Sequence, residues 1–141
     1  MIQELNKTDA EKLIEKCNFG HLACVLKKGE PYLVPINYLF LEGNIYVHTL
    51  PGKKLNALRA NGKICLQVDE IQNDCRWQSA IAFGEFEEIN EPQQRLKILQ
   101  KFSEKFERLT PVEAMSEENW KDSPIVIFRI NIRKITGVAE I

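Results

Sequence analysis

Three apolar runs separated by two short turn signals leave the middle of this chain little choice of fold. His21 to Leu26 is short and apolar, Lys28-Gly29-Glu30 turns the chain, and Tyr32 to Phe40 is rich in β-branched and aromatic residues. Glu42-Gly43-Asn44 turns it again into Ile45 to Thr49. Connections this short join antiparallel neighbours, because a parallel partner needs a crossover of a dozen residues or more. Further along, Ile64 to Val68 reads as a strand, Asp69 to Cys75 as a polar loop, and Trp77 to Ile89 as a long strand. Pro124 to Ile132 is strongly apolar, and Ile135 to Val138 extends it or pairs with it.

Helices are few. Thr8 followed by Glu11 makes a capping box, and Ala10, Leu13, Ile14 and Cys17 recur at helical spacing up to Asn18-Gly20. Lys54 to Ala60 carries Leu55 and Leu58 and stops at Asn61-Gly62, a pair suited to a left-handed helix end. Pro92 opens a third helix with the stripe Leu96, Leu99, Phe102, Phe106 and Leu109, packed on the barrel or used in a dimer contact. An irregular stretch with Trp120 follows. The expected fold is therefore mainly β: a closed or nearly closed antiparallel barrel with flanking helices, in one domain over residues 1–141.

The formal net charge of −1, from 19 Lys+Arg against 20 Asp+Glu, supplies no global basic field for nucleic acid or an acidic membrane. An anion must be recognised locally. No window is apolar for long enough to span a bilayer, and the amino terminus lacks a basic region followed by an apolar run, so a cytoplasmic protein with reduced thiols is expected. Cys17, His21 and Cys24 have no fourth ligand nearby, and zinc is not expected.

The local anion site is legible at Tyr46-Val47-His48-Thr49-Leu50-Pro51-Gly52-Lys53-Lys54-Leu55. A strand ends, a glycine turns, and two lysines open a helix whose first N–H groups face outward. Taken alone, Gly52-Lys53-Lys54 is more often a solvated turn than a ligand site. Ser79, Ala80, Ala82 and Gly84 are small, which leaves room for a flat ligand or a close backbone.

The order of these pieces resembles the pyridoxamine 5'-phosphate oxidase-like flavoproteins with an FMN-binding split barrel of antiparallel Greek-key type, closest to the small nitroimidazole-resistance members. The likeness rests on Phe19-Gly20-His21-Leu22-Ala23, Pro35-Ile36-Asn37-Tyr38, Tyr46-Val47-His48-Thr49, Gly52-Lys53-Lys54-Leu55, Leu58-Arg59-Ala60-Asn61, and Trp77-Gln78-Ser79 leading to Phe83-Gly84. It implies FMN at the interface of a homodimer, with the phosphate held by Lys53, Lys54 and the Leu55 N–H. It places Val34, Pro35, Ile36, Asn37 and Tyr38 along the isoalloxazine, His48 and Thr49 beside the ribityl chain, and Gln78 and Ser79 at the cofactor from the next long strand. No catalytic acid, base or nucleophile and no metal site is implied.

The implied activity is electron transfer from a nicotinamide or other small-molecule donor to a small acceptor, as in a nitroimidazole reductase. The alternative is a non-catalytic flavin-, haem- or deazaflavin-binding protein. Pyridoxamine phosphate oxidases resemble this chain in the barrel but carry a longer carboxy-terminal segment with an Arg and a His. The sequence closes at Arg133-Lys134-Ile135-Thr136-Gly137-Val138-Ala139-Glu140-Ile141, so pyridoxamine phosphate is not the expected substrate.

Overall fold

The structure is a computed structural model that describes residues 1–106 and 125–141. Its strands are β1 (Ile2–Glu4), β2 (Phe19–Val25), β3 (Pro31–Asn37), β4 (Leu39–Leu41), β5 (Asn44–Thr49), β6 (Lys63–Asn73), β7 (Arg76–Glu88) and β8 (Val126–Glu140). The helices are α1 (Lys7–Lys16), α2 (Lys53–Ala60) and α3 (Pro92–Lys105). All strand pairs are antiparallel, in the order β3-β2-β6-β7-β8-β5-β4, with β1 added to β8.

One residue shows that this sheet is curled. β3 and β4 lie at opposite ends of the strand order, yet only Tyr38 separates Asn37 from Leu39. Adjacent Cα atoms are about 3.8 Å apart, so the two ends of the sheet meet there. The result is a half-barrel with a seam between β3 and the β4–β5 pair. Inside it, Leu22, Val47, Leu58, Leu66, Ala80, Ala82 and Phe128 form the main core. A second, smaller core of Tyr46, Ile98, Leu99, Phe102 and Ile127 lies under α3.

Several boundaries differ from the sequence reading, each for a local reason. The cap of α1 is Asn6, whose side chain accepts from the Asp9 N–H at 2.8 Å, so the helix starts before the Thr8 box. Tyr32 to Phe40 is two strands, because Tyr38 turns inward at the seam. Asp69 to Asn73 is not a loop: its polar residues continue β6, pairing across to Arg76–Ser79 where one face is solvent-exposed. Asn61 ends α2 in an extended conformation (φ −143°), so no left-handed pair closes that helix. The long β8 takes in both Val126 to Ile132 and Ile135 to Val138, and its pairing with β7 shifts register between Phe83 and Gly84. Leu109, Thr110, Pro111, Trp120 and Pro124 lie outside the described residues.

The glycine at that shift is needed for a close approach. A Cβ on Gly84 would meet the Asn131 carbonyl oxygen at 2.3 Å. Of the two readings of the small residues on β7, Gly84 thus serves a close backbone, while Ala80 and Ala82 face the core. No helix among the described residues is long and apolar enough to cross a membrane.

Candidate functional site

The start of α2 hangs from the end of β5 through Leu50, Pro51 and Gly52. Gly52 offers no side-chain cap, and the first turn carries no acidic residue. The first intrahelical bond runs from the Asn56 N–H to the Gly52 carbonyl at 3.0 Å, which leaves the N–H groups of Lys53, Lys54 and Leu55 directed outward. Leu55, Ala57 and Leu58 are buried and fix the helix on the core. The positive end of α2 is thereby held rigidly at the seam.

The two lysines differ. Lys53 is exposed and places its Nζ 5.6 Å from the centre of the Tyr32 ring on β3. Lys54 is half-buried, near the buried Cys24 thiol of β2, and burial lowers its pKa from the usual 10.5. Among the described residues neither lysine is paired with a carboxylate. A half-buried cation without a counter-ion is costly unless an anion joins it.

β3 faces this helix start across the seam. It pairs with β2 on one side, and Pro31 and Pro35 fit a strand whose other side carries no ladder. Alternation divides its residues. Val34 and Ile36 share the inner face with Leu22 and Gly20, whereas Leu33, Pro35 and Asn37 share the outer face with Ala23, His21 and Phe19. The Asn37 amide donates to the Asn18 carbonyl at 2.9 Å, clipping the β2 end to β3.

Tyr38 is fully buried, its hydroxyl donating to the Ile14 carbonyl, and burial raises its pKa far above the usual value. Its own carbonyl accepts from the Lys105 Nζ at 3.0 Å, an ammonium that also donates to the Cys17 carbonyl. The Tyr38 ring and carbonyl thus hold the seam together rather than line an open edge.

His48 and Thr49 separate as well. His48 meets Phe102 edge-on at 4.6 Å on the α3 side, while the Thr49 hydroxyl donates to the Leu50 carbonyl at 3.1 Å. Gln78 and Ser79 are neighbours on β7 and point to opposite faces. Gln78 donates to Glu70, which also pairs with Lys16 at 2.5 Å. Ser79 accepts from the Gln67 amide at 3.0 Å on the outer face.

The structure therefore brings Lys53, Lys54, Leu55, Thr49 and Val34 to one seam. It sends Ser79, Pro35 and Asn37 to the outer face, and Tyr38 and Gln78 elsewhere. His21 and Cys24 also leave β2 on opposite faces, which is why they cannot share a metal.

Sequence reasoning missed the string that crosses the outer face. His21 Nδ1 lies 3.3 Å from the Gln67 Oε1, and the Gln67 amide reaches both Asp69 and Ser79 at 3.0 Å. Only the pairing of β2 with β6 and of β6 with β7 puts these residues side by side. No spacing within the sequence announces it.

Comparison with known proteins settles the family. The pyridoxamine 5'-phosphate oxidase pattern matches residues 6–139. The chain belongs to that family. Among solved structures, this pyridoxamine 5'-phosphate oxidase family member is similar to a FAD-binding protein from Mesorhizobium loti: 28% identity, TM-score 0.77, covering 100% of this chain and 99% of that one. It shares its fold with a candidate 5-nitroimidazole antibiotic resistance protein from Bacteroides thetaiotaomicron, at 18% identity and TM-score 0.81, covering 99% and 89% of the two chains. An uncharacterised protein from Rhizobium meliloti is 26% identical over 88 residues, 62% of this chain and 58% of that relative's length. Family membership and these folds confirm the antiparallel split barrel expected from the sequence.

Proposed function

We propose that this chain is a flavin-binding oxidoreductase whose seam holds the FMN unit of the cofactor. The observation that carries the reading is Lys54: a half-buried ammonium at an acid-free helix start, without a carboxylate among the described residues. A phosphate beside it would receive the Lys54 and Lys53 charges together with the outward N–H groups of the first turn. The FAD-binding relative, alike over nearly its whole length, supports a flavin rather than another phosphorylated ligand.

The rest of the seam fits a ring system. Val34 offers an apolar inner face, and the open side of β3 offers backbone N–H and C=O groups to a polar ring edge. Flavin supplies the redox chemistry, accepting electrons from a nicotinamide or other donor and passing them to a small acceptor. The chain's residues bind and orient it. Lys54 fixes one end, and β3 aligns the other.

The second subunit in this reading is another copy of the chain. Phe19 and Leu33 are each 66% exposed on the outer face of β2 and β3, and half-buried Ile81 and Phe83 lie on the same face of the sheet on β7, beyond β6. An apolar patch of this kind favours a protein partner. Ser79 and Gln67 lie on the same face and would meet the cofactor bound by the partner copy.

The test is a pair of titrations of cofactor-free protein, FMN against riboflavin, followed by flavin fluorescence. FMN is expected to bind at least about tenfold tighter, one charge-assisted anchor being worth roughly that factor. The advantage should vanish in the Lys53→Ala, Lys54→Ala double variant. Equal affinities for the two flavins, or a double variant with unchanged preference, would sink the phosphate seat.

A further inference from the structure

A second basic surface adjoins the seam. A groove of about 830 Å³ runs between the outer side of α2 and the β2–β3 turn. Lys53 belongs to both the helix start and this groove. From there the helix wall continues through Asn56 and Ala57 to Ala60, and the opposite wall carries Leu26, Lys27 and Lys28.

The charge of the groove is lopsided. Lys27, Lys28 and Lys53 face it with no carboxylate within ion-pair distance among the described residues, against the single acid Glu30. Arg59 also borders it but is committed to Glu88. A solvated turn accounts for lysines; it does not account for a cavity with a cation at its seam end and two on its far wall. The eight residues of α2, Lys53 to Ala60, give it a length of about 10 Å.

We propose that this groove takes the adenylate half of a flavin dinucleotide, so that the resident cofactor is FAD rather than FMN; the proposal rests on the flavin reading of the seam. The second phosphate would lie near Lys53, within reach of Lys27 and Lys28. The adenine would lie against the apolar stretch of Leu26, Ala57 and Ala60, with Asn56 able to donate to and accept from its polar edge. The two adjacent lysines that open α2 would then divide the work, half-buried Lys54 meeting the flavin phosphate and Lys53, at the junction, serving both phosphates.

The experiment is a titration of cofactor-free protein with FAD and with FMN, in the native chain and in a Lys27→Glu, Lys28→Glu variant. These residues are exposed in a turn, away from the core. FAD is expected to bind at least about tenfold tighter than FMN, and the variant to weaken FAD by about tenfold while leaving FMN within about twofold. FMN binding as tight as FAD, or a variant that weakens both flavins alike or neither, overturns the groove assignment and leaves the seam intact. Failure of both flavins to bind the native chain overturns the seam reading as well. Circular dichroism of the variant separates lost binding from lost fold.

Discussion

The Tyr38 hydroxyl donates to the carbonyl of Ile14, joining the seam of the barrel to the last turn of α1. That carbonyl is one of the four at the helix end that lack an intrahelical donor. Both groups are buried, so Tyr38→Phe should leave an acceptor unsatisfied and cost about 1–3 kcal/mol. A lowered urea midpoint with unchanged slope would bear this out. Flavin affinity measured at low urea should stay the same, since the phenol lies inside the core.

Lys54 and Lys105 set a pH dependence with a definite sign. Burial lowers both pKa values in the folded chain below the usual 10.5. Between the lowered value and 10.5 the unfolded chain holds more protons than the folded one, so stability of the cofactor-free protein rises with pH across that window. Phosphate anchoring runs the other way: it needs the Lys54 proton and should weaken as pH rises through the lowered value. The FMN-to-riboflavin affinity ratio, followed from neutral to alkaline pH, should fall, and Lys54→Arg should keep it level.

Gly84 and Gly52 make opposite predictions. With the Asn131 carbonyl 2.3 Å from a Cβ at Gly84, Gly84→Ala forces two strand backbones apart and should cost about 2 kcal/mol or more. Nothing lies within 4 Å of a Cβ at Gly52, whose φ of 169° is ordinary extended backbone. Gly52→Asp should therefore keep or raise stability, by a few tenths to about 1 kcal/mol, through a new N-cap. The same carboxylate would occupy the anion seat, so FMN should lose its advantage over riboflavin while the thermal midpoint holds.

For the outer face, the expected outcome is a dimer in sedimentation velocity that dissociates when Leu33 or Phe19 is replaced by Glu. Each side chain is 66% exposed in the single chain, so the substitution leaves the core alone. A monomeric native chain would remove the second copy from the proposal.

The parts of the fold legible in the sequence are those written in neighbouring residues. Lys28-Gly29-Glu30 and Glu42-Gly43-Asn44 announce their hairpins because Gly29 and Gly43 adopt positive φ, which glycine tolerates best. The Lys53-Lys54 helix start is legible for the same reason. Tyr38 is not: its burial depends on α1 and α3 arriving from far along the chain, and apolar pattern alone makes Tyr32 to Phe40 one strand. The direction of Gln78 and Ser79 follows from strand alternation once the pairing is known, but two adjacent polar residues do not say which of them faces out. The His21–Gln67–Ser79 string needed three strands in register before it existed at all.

The seam has one more consequence. Every other neighbouring pair in the strand order is joined by a ladder, while β3 and β4 are joined only by the covalent chain through Tyr38. A ligand gripping Lys54 on one side and the β3 backbone on the other would act as the missing rung. Occupancy would then be felt by strands it never touches, as slowed amide exchange along β4 and β5, because the last slack in the sheet would have been taken up.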